Sequence, residues 1–228
     1  MNLLDLVAQH ARPYEITHHS RWIDLLRDKS RKQALNCIPV VESPDELRTL
    51  VAVRREQLEA AEALVRRRYA WRGYDVQTDE GWHGTESAKP MTLLTEASGQ
   101  LVGTLTVRPQ SPLCAEQTYG SDIARLRAAG HRLGEVVKLA VESGIDWKGA
   151  LDALVQGAYL VSRVVHALTA IVIEVNPRHV RFYEKVLGFS VMATGGVCAR
   201  VGAPSVLMLL DLDAFGERVR ASLAAVPC

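Results

Sequence analysis

Hydrophobic positions along the chain recur at two different periods, and the changes of period divide it into elements. Residues 1–37 are rich in His, Arg and Lys, with weak periodicity around Trp22, Ile23, Leu25 and Leu26, and predict a helical N-terminal extension. A short apolar run at 38–41 is followed by Ser43-Pro44-Asp45-Glu46, which combines a serine N-cap, proline at the first helical position and glutamate at the third. Leu47, Leu50, Val51, Leu58, Ala61, Leu64 and Val65 then come at near-helical spacing and predict one helix to about Tyr69, stopped by Gly73.

Residues 77–89 are polar and glycine-bearing, and a loop of that length is either the rim or lid of a binding site or a surface excursion. Apolar runs at 91–95 and 101–107, separated by Ser98-Gly99-Gln100, predict an antiparallel hairpin. Residues 111–130 read as irregular. LGEVVKLAV at 133–141 is almost continuously apolar, as a strand covered on both faces is, and predicts the sheet centre. Asp146 caps a helix whose buried face is Leu151, Leu154, Val155, Ala158 and Val165, and 168–175 is β-branched and strand-like. Asn176-Pro177 repeats the cap-then-proline start, and Gly188 stands where a left-handed C-cap belongs. Strands at 189–192 and 205–212 and a docked helix at 215–224 complete the pattern.

A length of 228 residues suits one domain with a helical appendage. The 27 basic and 26 acidic side chains leave a net charge of +1, without the basic excess of a nucleic-acid or anionic-membrane binder, so a charged partner must be met locally. No basic n-region opens the chain, and no apolar run nears the ~20 residues of a spanning helix. Cys37, Cys114, Cys198 and Cys228 are scattered without a C-x-x-C pair, which argues against a zinc site or a secreted disulfide framework. These features predict a cytoplasmic protein with reduced thiols, no bound metal and no transmembrane segment.

Glu135 draws notice before any family is considered. Period two puts it with Leu133, Val137 and Leu139 on one face of a covered strand. A carboxylate buried there either pairs with an arginine such as Arg108 or has its pKa raised toward neutrality, where it can serve as a base.

The element order, with Asn176-Pro177-Arg178-His179-Val180-Arg181-Phe182-Tyr183-Glu184-Lys185-Val186-Leu187-Gly188-Phe189, resembles the GNAT acyltransferase superfamily, one residue off its commonest N…FY…GF spacing. Three further stretches resemble the long-chain N-acyl amino acid synthase branch, relatives of the acyl-homoserine lactone synthases. They are Arg67-Arg68-Tyr69-Ala70-Trp71-Arg72-Gly73-Tyr74, a V-G-T-x-x-x-R strand from Val102 to Arg108, and an E-x-x-R-L-A-V strand from Glu135 to Val141 with Lys138 in place of Arg. The likeness spans about residues 38–212. It implies an α/β domain over 38–228 with a mixed, mostly antiparallel central sheet flanked by helices, preceded by the 1–37 extension.

The resemblance also implies an N-acyltransferase that joins a long-chain acyl group from acyl carrier protein to the α-amine of an amino acid. Acetyl-CoA-dependent GNATs follow the central strand with a Q/R-x-x-G-x-G/A turn whose N–H groups hold the pyrophosphate. This chain has VESGIDWKGAL there, with Glu142 and Asp146 where the diphosphate would lie. No bound cofactor is therefore expected, and the donor is an acyl-phosphopantetheine on its carrier. Carrier proteins are acidic, and Arg66, Arg67, Arg125, Arg127, Arg132 and Lys148 are candidate contacts or ordinary solvated helix faces.

An amine with a pKa near ~8 must lose a proton before attacking a thioester, the role expected of Glu135. The GNAT resemblance makes Tyr183 the acid that protonates the leaving thiolate, unless it is a packing residue. His179, one turn earlier, either orients that phenol or is structural. Backbone N–H groups at Leu139, Ala140 and Val141 would hold the oxyanion, where the central strand parts from its neighbour. Tyr69, Trp71, Arg72, Tyr74, Trp82 and His83 are candidates for the acceptor site, with Arg72 or Arg108 pairing the carboxylate. Three other activities are kept in view: an acyl-homoserine lactone synthase, whose W-x-V and spaced aspartates Gly73-Tyr74-Asp75-Val76 and Thr78-Asp79-Glu80 match only in part; an acyl-CoA N-acetyltransferase; and a catalytically silent carrier-docking module.

Overall fold

The computed structural model describes residues 47–74, 89–110, 112–143 and 147–224. The 1–37 extension, the strand at 38–41, the Ser43-Pro44 cap, the Asp146 cap and nearly all of the 77–89 loop, with Trp82 and His83, lie outside the described residues. Chain order is β1 (Leu47–Val51), α1 (Arg55–Ala70), β2 (Met91–Ala97), β3 (Gln100–Pro109), α2 (Glu116–Ala128), β4 (Leu133–Val141), α3 (Trp147–Leu160), β5 (Ala170–Val175), α4 (177–187), β6 (Ser190–Cys198), β7 (Ala203–Asp211) and α5 (Leu212–Ala224). One sheet in the order β1-β2-β3-β4-β5-β7-β6 holds all seven strands, antiparallel except for the β4–β5 pair. β4 lies in the middle, as its apolar run predicts.

Two expectations are corrected. The long helix predicted from Ser43 begins only at Arg55, and Leu47–Val51 is a strand. Its alternation, with Leu47 and Thr49 buried and Arg48 exposed, is the period-two pattern, and the Thr49 and Thr95 hydroxyls bond at 2.8 Å across the β1–β2 ladder. Pairing with β2 overrides the local helical spacing. The helix is started instead by Gln57, whose Oε1 accepts from the Val53 and Arg54 N–H groups at 3.0 Å each. The second correction is at 111–130, expected to be irregular, where α2 forms and buries Tyr119, Ile123 and Leu126 on one stripe.

Other signals give the elements they predict. Asn176 accepts from Arg178 N at 3.2 Å to open α4, and Gly188 ends it at φ 77°. Between them the helix passes from a 3₁₀ turn through a single α turn to a π segment, Tyr183–Leu187. A π turn holds more residues than an α turn, and so absorbs the one-residue departure from the GNAT spacing. A second π segment, Val161–Val165, extends α3.

The helices cover the sheet unequally. Leu64 and Val65 of α1 pack on Ala140, while Tyr119, Ile123 and Leu126 of α2 pack with Leu133, Ala170, Val172 and Leu207. The alternate residues Ile171, Ile173, Met208 and Leu210 face the other way, toward Leu187 and Phe215, and Leu154 and Ala158 of α3 cover Leu93, Leu105 and Val107. Thus α1 and α2 lie on one face and α3, α4 and α5 on the other. Among the described residues, no helix is long and apolar enough to cross a membrane.

Candidate active site

The site originates in the parting of β4 from β5. Their parallel ladder holds only Leu133↔Ala170, Gly134↔Ile171 and Glu135↔Val172, so β4 has no β5 partner from Val136 to Val141. Lys138 sits in this stretch at φ 56°, beside a register shift against β3 between Thr104 and Thr106. Such a bulge bends a strand and re-aims its side chains. Here it inverts the alternation: Leu139 packs with Val136 on the α3 side and Ala140 packs under α1. Leu139 therefore does not share a face with Glu135 as strict period two predicts.

A cavity of about 790 Å³ occupies the gap and passes through the sheet, with Val136 to Val141 on one wall and Ile171, Ile173, Glu174 and Val175 on the other. On the α3–α5 side it is an oily channel between Leu105, Leu151, Val155, Ala158, Phe182, Leu187, Leu210 and Phe215. On the α1–α2 side it is polar, bordered by Arg68, Tyr69, Arg72, Tyr74, Cys198, Arg200 and Ser205. This size is within the ~300–1,000 Å³ of small-molecule pockets.

Glu135 is fully buried, 0% exposed, at the last position of β4 that pairs with β5. Its carboxyl accepts from Cys114 N at 2.5 Å and Ala115 N at 3.2 Å, just ahead of α2, and Arg200 Nη2 lies 3.9 Å away. Burial pushes its pKa up to about 7, against the opposing pull of Arg200, the Cys114 N–H and Arg108. Arg108 is its cross-strand neighbour on β3. Neither Glu135 nor Arg108 borders the cavity.

Glu174 does. It follows Val172 by two residues on the same face of β5, and Ser205 Oγ donates to its Oε1 at 2.8 Å. Tyr119 Oη donates to Ser205 O at 2.7 Å and accepts from Gly196 N at 3.1 Å, tying α2 to the β6–β7 hairpin. A Cβ on Gly196 would come within 2.4 Å of that oxygen, so the contact requires glycine.

Tyr183 borders the cavity from the π segment of α4, its ring edge-on to Phe182 at 5.4 Å and to Phe189 at 5.7 Å. Burial, reinforced by Tyr69, raises its pKa, so the phenol keeps its proton. Tyr69 is itself raised by burial. His179, also at the cavity, accepts from Arg178 Nε at 3.2 Å, and burial together with Arg72 and Arg178 lowers its pKa. Arg178 donates to Tyr74 Oη at 2.9 Å, which fastens the start of α4 to the end of α1.

The expected acceptor residues Tyr69 and Arg72 and the expected oxyanion residues Leu139, Ala140 and Val141 all border the cavity. Trp71 turns outward, 73% exposed, with the Arg68 and Arg72 guanidiniums over its ring. The six candidate carrier contacts divide. Arg66, Arg67 and Lys148 belong to the end of the sheet where β4 finishes, with Arg67 paired to Glu142 at 2.5 Å. Arg125, Arg127 and Arg132 gather where β4 begins, roughly 25 Å away at the rise of a strand. There Arg125 pairs with Asp122, and Arg127 with Glu116 at 2.6 Å.

Sequence reading passed over Glu174, Arg200 and Ser205. Glu174 carried the signal that singled out Glu135, a lone carboxylate in a β-branched strand. Arg200 reaches the site from the β6–β7 turn, and nothing in its local sequence marks it.

A family model described as N-acyl amino acid synthase FeeM matches residues 60–211. Among solved structures, FeeM itself, an N-acyl amino acid synthase from uncultured soil microbes, superposes with a TM-score of 0.65 at 21% identity, over 75% of this chain and 93% of that one. An acyl-CoA N-acyltransferase from Pseudomonas aeruginosa gives 0.52 at 15% identity, over 72% and 98%. The acyl-homoserine lactone (AHL) synthase LasI gives 0.50 at 16%, over 74% and 91%. A search of curated protein sequences finds no match.

Proposed function

Since the chain belongs to the FeeM family of N-acyl amino acid synthases and is an acyltransferase, we propose that it forms an amide between a long-chain acyl group, delivered as a thioester on acyl carrier protein, and the α-amine of an amino acid. The observation that carries this reading is the cavity through the sheet, oily on one face and charged on the other. A fatty chain and a zwitterion need those two environments, and the thioester carbonyl belongs between them, at the split in the sheet. About ten buried methylenes would contribute on the order of 8 kcal/mol, against about one for an acetyl group.

Glu174 takes a proton from the ammonium group, and the amine nitrogen attacks the thioester carbon. The negative oxygen that develops is held by backbone N–H groups at Leu139 to Val141, which β5 leaves unpaired with itself. The C–S bond then breaks, and Tyr183 passes its proton to the departing thiolate while it takes up the proton that the nitrogen loses as the amide forms, so that the buried phenol, which burial holds in its protonated form, is not left as a phenolate. Glu135 sits behind the cavity wall and acts as a positioning residue. It balances the Arg200 charge, and Glu174 contributes to its raised pKa. Arg72, with Arg68 beside it, is placed to pair the acceptor carboxylate. Arg66, Arg67 and Lys148 surround the end through which a carrier-bound arm would enter, and a cytoplasmic location fits a carrier-dependent enzyme.

The test is product analysis. Purified protein is incubated with acyl carrier proteins or acyl-CoAs of graded chain length and with a panel of amino acids, and products are identified by mass. An N-acyl amino acid formed preferentially from long-chain carrier donors is the expected result. Acetyl transfer from CoA alone, a lactone product, or no product would each overturn the reading.

A further inference from the structure

The polar side of the cavity holds more positive charge than its own carboxylates balance. Arg68, Arg72, Lys138 and Arg200 border it, against Glu142 and Glu174. Glu142 is already paired with Arg67, which lies outside this set, at 2.5 Å. An acceptor whose one ammonium and one carboxylate cancel would leave that excess in place.

Arg200 is the cation with the fewest partners. It stands in the tight turn between β6 and β7, which is closed by Val201 N and Gly202 N donating to Cys198 O at 3.3 and 2.8 Å. Its side chain is 25% exposed, and among the described residues none of its five N–H donors makes a hydrogen bond. Nε is enclosed, whereas the Nη end keeps accessible surface, and Arg200 borders the cavity. Glu135 does not meet the need. Its Oε1 is 3.9 Å from Arg200 Nη2, beyond hydrogen-bond reach, and both carboxyl oxygens already accept backbone N–H groups, from Cys114 and Ala115. A pKa of about 7 also leaves that carboxyl only partly ionised at neutral pH. A guanidinium stays charged, and holding it three-quarters buried without a bonded anion is costly unless a ligand supplies one.

Arg200 and Arg72 occupy separate positions. Arg72 lies over Trp71 at the end of α1, 5.4 Å from the ring centre, and its charge acts on His179, whereas that of Arg200 acts on Tyr69 and Glu135. We infer that the acceptor is an amino acid with a second acidic group, of the aspartate or glutamate class, which sets its α-carboxylate on Arg72 and its side-chain carboxylate on Arg200. This rests on the reading of the polar side as the acceptor site, and it adds the class of amino acid that fills it. A guanidinium takes a carboxylate through two parallel N–H···O bonds. The amide of the same shape accepts through one oxygen and brings no charge, so such a site separates an acid from its amide.

The test uses equilibrium binding, which needs no turnover. Aspartate, glutamate, asparagine and glutamine, with leucine and tyrosine as neutral references, are titrated by calorimetry into the full-length protein, Arg200→Gln and Arg200→Lys. Each titration is run with and without a long-chain fatty alcohol to fill the oily side. In the wild type, one of the two acids should bind about 10-fold or more tighter than its amide. Arg200→Gln should bring that ratio near one while binding of the amides changes little, and Arg200→Lys, which keeps the charge but not the fork, should give an intermediate ratio. Equal binding of acid and amide by the wild type, a comparison that requires no variant to fold, would overturn the inference, as would a preference for the acid that survives Arg200→Gln. In both cases binding of the neutral references would leave the proposed function standing. If no amino acid binds under either condition, the acceptor site is removed, and the inference falls together with the proposed function.

Discussion

The two faces of the sheet border one cavity and are built on opposite principles. Under α3, α4 and α5 the walls are aliphatic and aromatic, and in the proposed function they select by length and volume. Under α1 and α2 the same space is ringed by arginines, tyrosines and a carboxylate, which in the proposed function select by charge and hydrogen bonds. A sheet normally keeps such environments apart. Here three ladder pairs followed by a bulge let them meet, as the proposed joining of an apolar to a zwitterionic partner requires.

Removing charge on the polar face should have the largest effect. Glu174→Gln is expected to lower amide formation by about 10²–10⁴ while binding of the acyl chain is retained, and unchanged turnover would deny Glu174 its role. Filling the oily face with Ala158→Phe should cut kcat/KM for long chains by about 10²-fold and leave short donors much less affected, a split that steady-state kinetics on two chain lengths reads directly. If both lengths suffer alike, the channel does not hold the chain. Tyr183→Phe, at the boundary, should cost about 10²-fold in kcat, and a normal rate would make Tyr183 a packing residue.

Glu135 affords a smaller effect that depends on pH. Its folded pKa, about 7, exceeds its ordinary value of 4.5, so the folded state holds the proton more tightly. That contribution is fully present below about pH 4.5 and is lost as pH rises through about 7, a difference on the order of 3 kcal/mol. Melting temperatures of Glu135→Gln should therefore decline less than those of the wild type between pH 5 and 8. Parallel curves would show that Glu135 does not titrate there. The smallest effect concerns the ends of the sheet: reversing Arg66 and Arg67 should raise KM for a carrier donor several-fold at low salt, while reversing Arg125 and Arg132 should not.

Where a local pattern and the tertiary environment agree, the sequence was readable. β4, the β2–β3 hairpin, the Asn176 cap and the Gly188 stop all follow from nearby residues. Leu47–Val51 was misread because its apolar spacing satisfies both periods, and only β2, forty residues on, chooses between them. α2 was missed because Thr118, Gly120 and Ser121 weaken its propensity, and it breaks from helical dihedrals at Tyr119, φ −125°; its stripe is stabilised by the sheet beneath. For the site, Glu135 is identified by its surroundings, yet the bulge at Lys138 and the turn that delivers Arg200 are products of packing between distant segments.

The passage through the sheet has a further consequence for the end of the reaction. In the proposed reaction an amide made at the split is threaded, its tail on the oily side and its head on the polar side. Departure then requires the tail to be drawn out lengthwise past the seam. Every added carbon in the dry half deepens the hold by about 0.8 kcal/mol. The same fit that favours a long chain on entry would slow its exit, so the most tightly held tail need not give the fastest enzyme.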